Sequence, residues 1–341
     1  MKLLIVTQAV DQNHSNLGFF VRWIEEFAKH CDEVLVIANE VGQYSLPENV
    51  TVFSLGKEGG SSRLARYVKF LSLIVWFSGR YDSVFCHMNP EYVIAGSWWW
   101  VLRQTQVVLW YVHGTVSMRL RFALALVNKA ATVNAESLLI KSQKIAYLGH
   151  GIDTEYYKPG DRHQYGEYLI LTAGRVTPSK RLELLIEALS IAKNEGVPLR
   201  ASIIGGGGVA TDSAYVDRVE LLAKIEDIRY LGPQSSDFVR EAVSTADIFL
   251  NASTTNSVDK AVLEAMAGGT IPITTNRAFR PILEPLGLFV EEGTAVAMAA
   301  KIREVLARPD FASLRVQVRE EVIHRHNLPA LARKLLSLYN S

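Results

Sequence analysis

Apolar and polar positions along the chain switch repeatedly between two periods. Short apolar runs, suited to strands buried on both faces, occur at Leu3–Thr7, Val34–Ala38, Ser83–Cys86, Val107–Val112 and Lys144–Leu148. Between them lie helix-like segments at 17–29, 62–78, 91–103 and 117–129. The polar stretch Gly149–Glu167, "GHGIDTEYYKPGDRHQYGE", is punctuated by Gly and Pro and reads as a linker. A second series follows, with strands at 168–173, 200–204, 228–231, 247–250 and 271–274 and helices at 180–194, 213–225, 236–244 and 257–267. Helices fill most of the tail from Ala295. This alternation predicts an α/β chain of two Rossmann-like βαβ domains facing across a cleft. The expected bounds are 1–158, completed by a C-terminal helix at about 326–341, and 159–325.

Composition supports that division. A chain of 341 residues, 49% apolar, is long for one core and sufficient for two. Its net charge of +1 excludes no partner class, but the charge is unevenly spread. Between Lys57 and Lys144 stand eleven Lys and Arg against four acids, Glu58, Asp82, Glu91 and Glu136, an excess of +7. Two cysteines, Cys31 and Cys86, are too few for a disulfide framework and fit a reducing compartment. "MKLLIVTQ" is too short an apolar run for a signal peptide, and "FLSLIVWF" too short to span a bilayer. A cytoplasmic location is expected.

In parallel sheets, ligands bind where strands end, so the residues following strands carry the candidate chemistry. After strand 168–173 comes "AGRVTPSKR", in which Arg175 and Lys180 straddle a loop entering a helix. Two cations beside free N–H groups form a diphosphate site, the plainer alternative being two solvated surface charges. After strand 200–204 comes "GGGGVA", where Gly205, Gly207 and Ala210 satisfy G-x-G-x-x-A, with Asp227 further on. Asp227 opens the next strand, whereas a ribose-binding acid belongs at a strand end, so this match is set aside. After strand 247–250, "NASTTNSVDKAVLEAMAGGTIPIT" places Asn256 ahead of a helix and Glu264 two turns along it. Eight residues bring two helical side chains within about 80° of each other. A carboxylate there can accept both hydroxyls of a ribose diol; otherwise it is an acid satisfied by a neighbouring cation or N–H group.

"TAGRVTPSKRLELLIEAL", "IIGGGG", "IRYLGPQSSDFVREAVSTADIFLNAS" and "VLEAMAGGTIPIT", in this order, resemble the second domain of glycosyltransferase family 4. "HGID" at His150–Asp153 resembles that family's entry into the second domain. The resemblance implies a GT-B fold and a retaining, nucleotide-sugar-dependent transferase. By resemblance, Arg175 and Lys180 hold the donor diphosphate and stabilise the leaving group, and Glu264 takes the ribose hydroxyls. The backbone at Tyr230 and Leu231 flanks the base, and the loop from Asn256 and Ser257 to Asp259 faces the donor sugar. Gly18 is similar to the family's glycine after the first strand. His113, ending "VVLWYVHG", is similar to a histidine near the reacting sugar, although a histidine there can equally be a hydrogen-bonded core residue. The absence of any Asp-x-Asp disfavours a metal-binding GT-A transferase, so neither metal nor cofactor is expected. One departure stands out: Asn256 replaces the first of two family glutamates, and "SVDK" replaces a glycine-aromatic-glycine. Asp259 and Lys260, within it, either rebuild the sugar contact or, by default, are polar residues of a first helical turn.

Arg63, Arg66, Lys69, Arg80, Arg119 and Arg121 accompany the tryptophans Trp98–Trp100 and a strongly apolar stretch. Basic residues beside aromatics suit an anionic leaflet, and no nucleic-acid-binding module is present. The expected partners are therefore a nucleotide-sugar donor, a lipid-linked or cell-surface glycan acceptor and the inner membrane face. A nucleotide-sugar epimerase of the same fold and a non-catalytic scaffold remain as rival readings.

Overall fold

In the computed structural model, which describes all residues except 15, 114, 163–165, 208–212, 256 and 341, the first apolar run lies inside a sheet. The chain forms two units, Met1–Gly151 with Leu328–Ser341, and Ile152–Asn327. The first contains β1 (Lys2–Val10), α1 (Phe20–Ala28), β2 (Glu33–Val41), β3 (Val50–Ser54), α2 (Arg63–Trp76), β4 (Ser83–His87), α3 (Pro90–Leu102), β5 (Gln106–Trp110), α4 (Met118–Leu126), β6 (Lys129–Thr132) and β7 (Ile145–Tyr147). All strand pairs are parallel, in the order β3-β2-β1-β4-β5-β6-β7. Leu3, Ile5 and Val6 are fully buried, each worth about 1.5–3 kcal/mol.

Two strands depart from the sequence pattern. Residues 117–129 read as one helix, yet α4 ends at Leu126 and Lys129 opens β6. Ala130 and Ala131 favour helix intrinsically, but pairing on both sides between β5 and β7 overrides so weak a preference. β3 is a half-buried edge strand whose only neighbour is β2, so its apolar signal is faint.

The second unit runs β8 (Tyr168–Ala173), α5 (Leu182–Asn194), β9 (Leu199–Ile204), α6 (Ser213–Ile225), β10 (Arg229–Tyr230), α7 (Ser236–Thr245), β11 (Ile248–Asn251), α8 (Lys260–Ala267), β12 (Ile271–Thr274), α9 (Arg280–Leu283), α10 (Ala295–Leu306) and α11 (Phe311–His326). Its parallel sheet has the order β10-β9-β8-β11-β12. α12 (Leu328–Ser337) returns to the first unit, where α1 is among its neighbours.

The unit boundaries differ from the expected 158/159 and 325/326. Ile152 N–H donates to the His326 carbonyl at 2.7 Å, and Arg319 of α11 donates to the Thr154 carbonyl at 3.0 Å and the Tyr157 carbonyl at 2.9 Å. These bonds hold residues 152–157 to the second unit although their composition reads as linker. In the second unit two helix starts also move. α5 begins at Leu182 rather than 180, because Arg181 adopts a left-handed φ of 51° after the short turn Pro178–Lys180. α8 begins at Lys260 rather than 257, with Asp259 at its N-cap.

Candidate active site

From β8 the second sheet grows through β9 and β10 to one side, and the chain then returns to β11 and β12 on the other. Connections therefore diverge from the adjacent ends of β8 and β11, the topological switch point where such sheets take ligands. A pocket there is lined by Thr172, Gly174, Arg175, Lys180, Asn251 and Ala252. Backbone bonds weave its rim together. Gly174 N–H donates to the Ile204 carbonyl at 2.9 Å, Val176 N–H to the Gly206 carbonyl at 2.9 Å, and Gly205 N–H to the Gly232 carbonyl at 2.8 Å.

That weave explains one glycine of the "GGGG" run. A Cβ on Gly205 would stand 1.8 Å from the Gly174 carbonyl oxygen, and its φ of 143° disfavours any side chain. The loop thus serves close approach of two strand ends. Ala210, part of the dinucleotide-like spacing, lies outside the described residues.

The two cations of the expected diphosphate site differ. Arg175 is exposed, and its guanidinium pairs with nothing among the described residues. Lys180 is partly buried and its ammonium meets Asp259 Oδ1 at 2.6 Å. The second Asp259 oxygen accepts from Asn251 Nδ2 at 2.9 Å, and Asn251 Oδ1 accepts from Thr274 Oγ1 at 2.9 Å. Thr274 Oγ1 in turn accepts from Asn276 N–H at 2.9 Å. Lys180 is thus anchored through the ends of β11 and β12. Asp259 stands at the α8 N-cap without capping it, its carboxylate being spent on Lys180 and Asn251. The default reading of Asp259 as a first-turn helix residue is corrected accordingly. Asn251 and Thr274 carried no sequence signal beyond being polar at strand ends.

Glu264 is mostly buried, 13% exposed at its side chain, and faces Lys260 at 3.4 Å across one helical turn. The carboxylate is thus neither unpaired nor wholly dry. The Ser257 carbonyl accepts from Asn276 Nδ2 at 3.0 Å, which fixes the loop before α8. Asn256 lies outside the described residues. Tyr230 O–H donates to the Gly205 carbonyl at 2.9 Å, and burial raises its pKa. Leu231 N–H donates to the Ile203 carbonyl at 2.9 Å, extending the sheet by one rung.

His113 and Gly18 belong to the first unit. His113 is exposed, three residues beyond β5, and its Nδ1 accepts from Thr115 N–H at 3.0 Å. That bond leaves Nε2 to carry the proton of a neutral ring. Gly18 is buried, with its N–H on the His14 carbonyl at 2.9 Å; a Cβ there would lie 2.5 Å from the Gln12 carbonyl oxygen. Its tight contact is therefore internal to the loop between β1 and α1.

Residues 167–308 match the family model described as glycosyl transferases group 1. WcaL of Escherichia coli (strain K12), named for colanic acid biosynthesis as a glycosyltransferase, is 29% identical over 212 residues, covering 58% of this chain and 51% of WcaL. D-inositol 3-phosphate glycosyltransferase of Mycobacteroides abscessus is 27% identical over 180 residues, covering 48% of this chain and 40% of that protein. The chain thus spans about half the length, or less, of these relatives. Among solved structures, Anabaena Alr3699/HepE in complex with UDP superposes with a TM-score of 0.78 at 16% identity, over 100% of both chains. Sucrose-phosphate synthase of Thermosynechococcus elongatus superposes with a TM-score of 0.75 at 19% identity, over 100% of this chain and 98% of that one. The fold is that of the GT-B glycosyltransferases.

Proposed function

We propose that the chain is a retaining, metal-independent glycosyltransferase. It moves a hexosyl or N-acetylhexosaminyl group from a nucleoside-diphosphate sugar to a lipid-linked or cell-surface glycan precursor. The observation that carries the reading is Arg175, unpaired among the described residues, beside the anchored Lys180 at the β8/β11 switch point. Negative charge grows on the departing diphosphate during transfer, and the anchored Lys180 with the exposed Arg175, near the start of α5, stabilises it without a metal. Glu264 takes the ribose hydroxyls, exchanging Lys260 for the diol, and the Tyr230–Leu231 edge flanks the base. The names of WcaL and of the UDP-bound HepE structure support this assignment of donor and pathway class.

The site of work is the inner membrane face. No helix among the described residues is long and apolar enough to cross a membrane. Yet Leu64 and Trp76 on α2 and Met118 and Phe122 on α4 are 72%, 80%, 76% and 63% exposed. Arg63, Lys69 and Arg121 on the same helices are exposed too, which suits insertion of apolar side chains beneath anionic headgroups.

Release of nucleoside diphosphate from UDP-, GDP- and ADP-sugars tests the assignment. At least one donor should bind and be hydrolysed slowly without acceptor, and Arg175→Ala should suppress both. Failure of all three to bind would remove the donor site. A second reading, a nucleotide-binding scaffold, is favoured by one observation: Asp259 already neutralises Lys180. Binding without release, from any donor and with any acceptor, would select it.

A further inference from the structure

The first sheet has its own switch point, between β1 and β4, and it is polar in an unusual way. On one face, Leu4 and Val6 of β1 and Leu35 and Ile37 of β2 are buried in the core with Phe70 of α2 and Val93 of α3. Strand alternation puts Gln8 and Asn39 next in those rows, at the carboxyl ends. A chain of hydrogen bonds replaces apolar contact there. Arg66 Nη1 donates to Asn39 Oδ1 at 2.7 Å, Asn39 Nδ2 to Gln8 Oε1 at 3.0 Å, and Gln8 Nε2 to Asn89 Oδ1 at 2.5 Å. Tyr92 O–H also reaches Asn39 Oδ1, at 3.4 Å.

The chain ends in unmet donors. Asn89 is 5% exposed, and its Nδ2 has no partner. Arg66 Nε is likewise buried without one, and the guanidinium pairs with no carboxylate among the described residues. Asn89 is the N-cap of the 13-residue α3, but its side chain does not cap it; Pro90 at N1 has no N–H and the Tyr92 N–H donates to the Asn89 carbonyl at 3.2 Å, so the turn adds the Glu91 N–H alone to the surplus of donors. The one acid of that turn, Glu91, is turned to Arg119 at 3.1 Å. A partly buried cation whose hydrogen-bond partner is a neutral amide is costly unless something negative completes it.

We propose that Arg66, Asn89 and the start of α3 form a binding site for an oxyanion carried by the acceptor, a phosphoryl group or a carboxylate. The acceptor's identity rests on the transferase reading; the anion site itself does not. An arginine fork matches two oxygens of either group, and the Asn89 amide and the Glu91 N–H supply further donors. Gln8 and Asn39 position Arg66 and Asn89 and need not touch the anion.

Calorimetry on the full chain, without donor, tests this with geranyl diphosphate, methyl glucuronide and, as a neutral control, methyl glucoside. One of the two anions should bind, and which one does identifies the group. Arg66→Gln should weaken that binding roughly tenfold or more, and by the same factor in an Arg175→Ala background that disables the diphosphate site of the second unit, while the glucoside stays silent. If Arg66→Gln fails to fold, Asn89→Asp carries the test: it keeps the acceptor for Gln8, removes the amide donor and adds repulsion, so binding should be lost. The inference is overturned if neither anion binds at millimolar concentration, or if binding follows Arg175 and ignores Arg66 and Asn89. Because no transfer is measured, a failed donor assay leaves this result standing, and a working donor assay does not rescue it.

Discussion

The two parallel sheets end in opposite electrostatic designs. At the β8/β11 switch point a lysine is held by a mostly buried aspartate, and an exposed arginine beside it pairs with nothing among the described residues. At the β1/β4 switch point a single arginine is held through neutral amides, with no carboxylate paired to it among the described residues. Matching Lys180 with Asp259 fixes an ammonium in position while lowering its net attraction for anions. Leaving Arg66 unmatched keeps its charge but strains the local hydrogen-bond inventory. The first design suits a site already ordered before a multiply charged ligand arrives. The second suits one that a ligand completes.

The sharpest way to break the comparison is to close the weave that brings the second sheet's strand ends together. Gly205→Ala meets both an unfavourable φ and the Gly174 carbonyl, and should cost roughly 2–5 kcal/mol of stability. Gly18→Ala in the first unit meets the Gln12 carbonyl oxygen at 2.5 Å and the His14 carbonyl oxygen at 3.1 Å, with no positive φ, and should cost about 1–3 kcal/mol. Calorimetric unfolding compares them, and equal losses would mean that the second edge is no more tightly built than the first.

Next in size is the donor anion. Arg175→Ala should weaken nucleoside-diphosphate binding by about 1.5–3 kcal/mol with little change in stability, since the guanidinium holds nothing else among the described residues. Lys180→Ala should weaken binding and also destabilise the unit, because Asp259 is left mostly buried without its cation. Adding Asp259→Ala to Lys180→Ala should recover stability, a coupling of about 1–3 kcal/mol. Additive losses would mean the pair does not anchor the loop.

How much of this was legible in the sequence differs between the two edges. In the second unit, Arg175, Lys180 and Glu264 stood out as charges after strands and on an apolar helix, and strand placement from 168 to 274 needed little revision. What escaped was pairing. Lys180 and Asp259 are 79 residues apart, and only the parallel order of β8 and β11 brings them together. In the first unit, Gln8, Asn39 and Asn89 look like ordinary polar strand and loop ends. Their burial and their shortage of acceptors are properties of packing, which no local pattern reports. β6 was hidden for the same reason, because its alanines form a strand only through neighbours on both sides.

The smallest expected effect tests whether the first unit's positive excess acts beyond Arg66. Lys69 is exposed on α2, the helix that also presents Leu64 and Trp76 to solvent. A cation near an anionic leaflet contributes about 1 kcal/mol. Lys69→Ala should therefore reduce co-sedimentation with phosphatidylglycerol-containing vesicles by roughly fivefold in partition, with folding and nucleoside-diphosphate affinity unchanged. The loss should shrink as salt rises, because screening weakens what the lysine supplies. Trp76→Ser should lower vesicle binding at all salt concentrations, since its contribution is apolar burial. If Lys69→Ala binds anionic and neutral vesicles as the parent chain does, the cationic face takes no part in membrane binding. The charge of the first unit then acts only through the switch-point arginine.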